Sequence, residues 1–450
     1  MIVIDENTFL RLLYQNQKEF EGYDIRIENP ITVDLNLASS ELVFQRVFFK
    51  GEKITFFSNS NKRMDKSYII FLNTHFSNNN TVFNNIAIEQ LIFSEVSSDS
   101  PINIIGLDIN TLEIEETILN KLFNSKGNIN EILLSNSKFF EGIFFEKLQN
   151  HLFEFSKSYC STFWNLTSHF SKVNIYKSTF ISSIDCGYLN CSINEFFFSE
   201  NMLKTNFYLN MSRFKNTLKF KSVHFDENSL FKINSCDFKG KLYFENSSFV
   251  KFHIQSTEFR NYLTFEEVVF SSIDFQDTNF ISNTYFDQVL IKNINKCKRK
   301  TIRQIKYALQ KTDNKIDYNR FKSYELETYY QEIEWKDNFK DKFILSATWF
   351  STGFDHSWIR AMVFTLLSGL LFYCLFLISE DYLNSFEVYK GKEFFSGYFR
   401  FLLITDFYNP LIKEREFLTE PLSWLIFILG KIVIAFGIYE MIQAFRKFKA

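Results

Sequence analysis

The sequence predicts an all-β solenoid of square cross-section, then an α-helical hairpin, then a two-span α-helical membrane domain. Three observations carry this: a five-residue apolar beat, a later switch to helical spacing, and two long apolar runs near the end. Phe244, Phe249, Ile254 and Phe259 are spaced by five, and Phe265, Phe270, Phe275 and Phe280 repeat them 21 residues on. Phe286 opens a third round. A period of five fits neither a helix nor an ordinary strand. It fits four five-residue sides and about one extra residue per coil, each side planting one large apolar group on the axis. Two residues before these positions the side chain is small or β-branched: Ser178, Ser212, Val223, Cys236, Ser247, Thr257, Val268, Ile273 and Thr278. Such a residue fits beside a large one in a narrow core.

The stretches KSTF, MSRF, SCDF, NSSF, STEF and DTNF resemble the pentapeptide-repeat family, with Phe in place of the commoner Leu. The resemblance implies a right-handed quadrilateral β-helix. It is strict over about 209–286 and loose from about 31 to 209, and the irregular residues 101–127 read as a coil insertion. A leucine-rich-type solenoid would need a longer repeat with an Asn ladder, which is missing. Residues 1–30 then form an N-terminal cap and 31–296 the β-helix.

After Phe286 the beat stops. Ile302, Ile305 and Leu309 recur at helical spacing, and Tyr318, Phe321 and Tyr324 open a second amphipathic helix after the turn TDNK. A hairpin over 297–335 is expected to cap the last coil, because an open solenoid end exposes unpaired strand edges. Residues 336–357 interleave Phe343, Trp349, Phe350 and Phe354 with polar residues, the composition of an interfacial linker.

The membrane domain is expected over 358–450, with spans 358–378 and 422–445. Residues 361–378 carry no charge, and 422–439 carry one, Lys431. Each run approaches the roughly 20 residues a bilayer needs. A shorter apolar segment between them, 394–409, reaches only part way and is expected to be re-entrant or interfacial. Span, half-helix, span is the layout of two-span ion channels, although the glycine-rich carbonyl filter of potassium channels is absent. RQIKYALQK, GFDHSWIRA, FYNPL and GKIVIAFGIYEMIQAFRKF add a resemblance to bacterial membrane proteins that join pentapeptide repeats to a hairpin and two spans. It implies a fold and a membrane location, with no activity attached. No basic region precedes an apolar run at the N-terminus, so a secretory signal is not expected. The β-helix and both termini are therefore expected in the cytoplasm, with the spans in the inner membrane.

Lys431 is the sharpest residue. It stands about 13 Å from either end of its span, where an ammonium costs roughly 2.5–3.5 kcal/mol. A partner is required, and Asp406 is the expected one, ahead of Asp381 and Glu440. Lys431, Asp406, Thr405 and Arg400 form the expected pore or intramembrane polar set; Gly369, Gly430 and Gly437 are expected to permit close helix packing.

Composition sets the remaining bounds. With 58 Phe and 21 Tyr against 13 Gly and 4 Pro, the 450-residue chain can bury a large core, which excludes disorder. A net charge of −2 excludes a general nucleic-acid binder. The six cysteines and six histidines show no metal-type spacing, and no nucleophile or phosphate-binding motif appears, so neither an enzyme nor a cofactor or metal is expected. Membrane lipid, further copies of the chain and a protein partner or ligand on the β-helix are the expected partners. Two readings follow: an oligomeric membrane pore with a cytoplasmic β-helix sensor, or a membrane-tethered binding scaffold.

Overall fold

The computed structural model describes residues 1–58, 67–166, 168–186, 192–354, 357–380, 391–411, 416–418 and 420–446. Asp381, His356, Cys191, and the basic residues Lys447 and Lys449 lie outside the described residues. The chain divides into two compact units, Met1–Cys297 and Lys298–Ala450.

The first unit is a parallel β-solenoid of about 13 turns. Its register follows the beat: Phe244 pairs with Phe265 and Phe265 with Phe286. Coil length is not constant, however. Ile102 pairs with Leu122, Phe220 with Phe244, and Ile54 with Thr81, so coils range from 20 through 24 to 27 residues. Inward rings stack coil on coil, with centroids 4.8 Å apart for Phe214 and Phe238 and 5.0 Å for Phe244 and Phe265. That separation is the strand spacing of a sheet transferred to the core.

The small residues earn their place at the corners. One corner of each coil takes a residue with positive φ, beginning at Gly22 and passing through Arg46, Asn73 and Glu95 to Gln288. From Val47 onward the next residue points inward and is small enough to lie against the corner backbone. In the middle coils these residues form a ladder of buried polar groups. The Thr117 amide donates to Ser137 Oγ at 3.1 Å, Ser137 to Ser158 Oγ at 3.0 Å, and Ser158 to Ser178 Oγ at 3.2 Å. The Ser178 amide ends the run on Asn201 Oδ1 at 2.8 Å. Each hydroxyl also donates within its own coil, as Ser158 Oγ does to Ser156 O at 2.6 Å. Backbone donors that turn away from the sheet thus find partners inside the core.

Three expectations need correction. The parallel ladder begins at Ile2, which pairs with Tyr23, well before residue 31. Helix α1 (Glu6–Tyr14) follows, capped by Asp5 and burying Phe9 and Leu13, and the Phe9 ring meets Phe20 edge-on at 5.5 Å. Residues 101–127 are no insertion. They continue the ladder, with Ile and Leu in place of Phe. Finally, Phe249, Phe259 and Phe270 are buried but Phe280 is only half-buried. Its strand, Asn279–Phe280, pairs with the previous coil alone.

The second unit is helical. Helices α2 (Arg299–Lys311) and α3 (Lys315–Glu332) bury Ile302, Ile305, Leu309 and Phe321. Arg299 pairs with Glu332 at 3.1 Å and Arg303 with Glu325 at 2.9 Å. Helix α4 (Phe339–Thr352) follows, ending at the left-handed Gly353. Helices α5 (Trp358–Ser379) and α7 (Pro421–Arg446) flank the shorter α6 (Gly391–Leu402). By length and composition α5 and α7 could cross a membrane, with mean hydropathies of 2.4 and 2.1 over their apolar windows. Only 33% of each window is buried.

Candidate functional site: a lysine held by a helix end

Helix α6 packs against both long helices. Tyr373, Phe376 and Leu377 of α5, Tyr398 and Phe401 of α6, and Phe427 and Ile434 of α7 form one buried cluster with Leu418. Two tyrosines fix the height of α6. Tyr373 Oη donates to Phe394 O at 3.1 Å, and Tyr398 Oη donates to Leu366 O at 2.8 Å. Ser379 and Ser423 meet at 2.9 Å and join the ends of α5 and α7.

Helix α6 ends at Leu402, and its end lies beside the middle of α7. Lys431 is 4% exposed there. Its Nζ donates to Phe401 O at 2.7 Å and to Leu403 O at 2.5 Å. The rings of Phe427 and Phe401 lie 4.7 and 5.4 Å from the same nitrogen. The last carbonyls of a helix have no intrahelical donor and carry the negative end of its dipole. An ammonium at that point satisfies them and is itself solvated by them, with two ring faces adding cation–π attraction.

The expected partner was a different group. No ion pair joins Lys431 and Asp406; Asp406 Oδ1 instead accepts the Tyr408 amide at 3.2 Å, closing a local turn. Thr405 is exposed and Arg400 half-buried, and neither hydrogen-bonds Lys431. Glu440 is buried and accepts from Thr352 Oγ1 of α4 at 3.2 Å, so it ties α4 to α7. Backbone carbonyls replace the carboxylate because a half-helix ending at mid-height delivers them with no further charge to bury.

The three expected glycines all lie at contacts within the chain. A Cβ on Gly369 would come within 2.6 Å of Leu402 Cδ2, and one on Gly430 within 2.8 Å of Phe401 Cζ. On Gly437 it would meet Thr365 Oγ1 at 2.2 Å. Sequence reading missed Gly397, whose Cβ would meet Tyr373 Oη at 2.3 Å, and the two tyrosines themselves. The available signal was a pair of hydroxyl-bearing rings in apolar helices, where each needs a carbonyl.

In the first unit, burial pushes the Cys236 thiol up to about 12 and raises those of Cys160 and Cys297 as well. These are inert core thiols. No protein-family model, curated protein or solved structure matches this chain.

Proposed function

We propose that the chain is a membrane-tethered binding scaffold of the pentapeptide-repeat kind. In this reading a right-handed, four-sided solenoid stands in the cytoplasm, α2 and α3 form a helical hairpin after it, and α5 and α7 cross the inner membrane. The observation that carries the reading is Lys431. A pore between copies gained its force from a charge that no single span could hide, yet this chain hides the charge with its own α6. The glycines likewise serve contacts between α5, α6 and α7. A membrane unit complete within one chain needs no second copy to be stable, and anchoring is then sufficient work for it. Two thirds of each apolar window is not buried, which supports lipid contact, since core helices of a soluble protein would be mostly buried.

One observation favours the pore reading: α6 has the half-length and mid-span ending of a re-entrant channel helix. Two measurements separate the readings. Both predict that the protein resists alkaline extraction from membranes, but the tether predicts that the purified protein behaves as a monomer in detergent and gives liposomes no ion flux above empty controls. Flux in the parent that changes selectivity in Lys431→Met would replace it with the pore. For topology, a cysteine introduced at Tyr389 should be labelled from outside intact cells and one introduced at Lys449 spared.

A further inference from the structure

The solenoid inverts its own inside–outside pattern in two of three neighbouring coils. One column of inward residues runs Phe56, Phe83, Ile104, then Asn124, Phe145 and Asn165. Asn124 is fully buried and neither amide atom has a hydrogen-bond partner among the described residues; Asn165 is 1% exposed. The outward column beside it runs Asn103, Phe123, Phe144, Trp164. In the two coils where the core receives an asparagine, an aromatic ring is turned out instead. A one-residue shift of register would cure both faults, and ladder pairing on either side forbids it. Sites that break local consistency in this way are where function is expected.

The rings form a strip. Phe144 and Trp164 lie edge to face with centroids 5.9 Å apart, and Trp164 is 38% exposed. In the same column the ladder partner of Trp164 is Asp185, about 4.8 Å along the axis. The carboxylate is partly buried and accepts one long hydrogen bond, from Asn210 Nδ2 at 3.4 Å. No cation pairs with it among the described residues. Phe144 already shows what the strip takes: Lys121 lays its Nζ 4.5 Å from the ring centroid. It can do so because its own ladder partner is Gly142, which has no side chain to block it. Trp164 offers the same quadrupole with no cation upon it among the described residues, beside a carboxylate poorly solvated for a charge.

We propose that the strip of Phe123, Phe144 and Trp164, closed at one end by Asp185, is a docking surface for a cationic side chain of a polypeptide partner. The guanidinium or ammonium lies on the Trp164 face within reach of the Asp185 carboxylate. An arginine fits best, since its planar group stacks and hydrogen-bonds at once. The inference rests on the reading of the solenoid as a binding module, and names the chemistry of what it binds.

The test uses the full chain in nanodiscs and a fluorescein-labelled nonapeptide of alternating arginine and glycine, followed by anisotropy. The control peptide carries citrulline, an uncharged near-isostere, in place of arginine. The parent should prefer the arginine peptide by tenfold or more. Trp164→Ala should weaken it at least tenfold and Asp185→Asn three- to tenfold, while Tyr262→Ala, an exposed ring elsewhere on the solenoid, should leave it unchanged. Asp185→Asn preserves shape, so it decides the matter even if Trp164→Ala unfolds. Equal binding of the two peptides, or parental affinity in both strip variants, overturns the proposal. So does competition by maltoheptaose, which would mark a carbohydrate surface. Membrane extraction and flux test the tether separately, whichever way this titration ends.

Discussion

The ammonium of Lys431 donates a 2.7 Å hydrogen bond to the carbonyl of Phe401, 30 residues earlier in the chain. The bond joins the middle of α7 to the end of α6, adding to the two tyrosine bonds that hold the short helix. Lys431→Met keeps length and apolar packing but leaves two carbonyls without a donor. Hydrogen bonds to a charged group contribute about 1.5–3 kcal/mol each, partly offset by removing the buried charge. The expected outcome is a lower unfolding temperature in detergent and faster proteolysis after α6, with membrane insertion retained. Unchanged proteolysis would show that the aromatic cluster alone holds α6.

Gly437 sets the distance between α5 and α7. Its missing Cβ is the space that Thr365 Oγ1 fills, 2.2 Å from where that carbon would stand. Thr365 cannot easily retreat, because its hydroxyl donates to Ala361 O at 2.8 Å in its own helix. Overpacking of this kind costs about 1–3 kcal/mol. Gly437→Ala should therefore destabilise the helical unit, and Thr365→Ala should restore much of the loss in the double variant. Additive losses in a thermal-unfolding cycle would contradict the contact.

What could be read in advance divides along a physical line. Side chains that repeat were legible: the Phe244–Phe265–Phe286 spacing predicts the ladder pairs themselves. Coils 101–127 were not, because Ile102, Ile104 and Leu122 fill the core without phenylalanine and the coil shortens to 20 residues. The start at Ile2 was hidden for a similar reason, as α1 interrupts the beat. For Lys431 the need for a partner was legible from depth alone. Its identity was not, since the acceptors are backbone carbonyls and any residue types at 401 and 403 would supply them.

The last coil should be energetically unlike the one before it. Phe270 is fully buried between Phe249 and Ile291 of the strand Leu290–Ile291, whereas Phe280 stacks on Phe259 at 5.5 Å and is only half-buried. Removing a buried phenylalanine costs about 3–5 kcal/mol through lost transfer energy and a cavity. Phe270→Ala should cost that much. Phe280→Ala should cost clearly less, because its site can fill with solvent. Circular-dichroism melts of the two variants in parallel decide it, and equal losses would mean that Phe280 is as well enclosed as Phe270.

Asp185 should make the solenoid less stable as the solution is made neutral. Burial pushes its carboxyl from 3.8 up to about 6, against one weak hydrogen bond from Asn210. Between those values the folded chain holds a proton that the unfolded chain has released, so stability falls as pH rises from about 4 to about 6. Above that range the penalty is constant. The carboxylate is partly solvated, which limits the effect to on the order of 1–2 kcal/mol. Asp185→Asn has no charge to desolvate and keeps the shape. It should melt with the parent near pH 4 and above the parent at pH 7.5, with the gap opening between pH 4 and 6. A gap that instead closes with rising pH would mean that the ionised carboxylate is stabilised in the fold, by a cation or by water, and that Asp185 is not the unpaired charge beside Trp164.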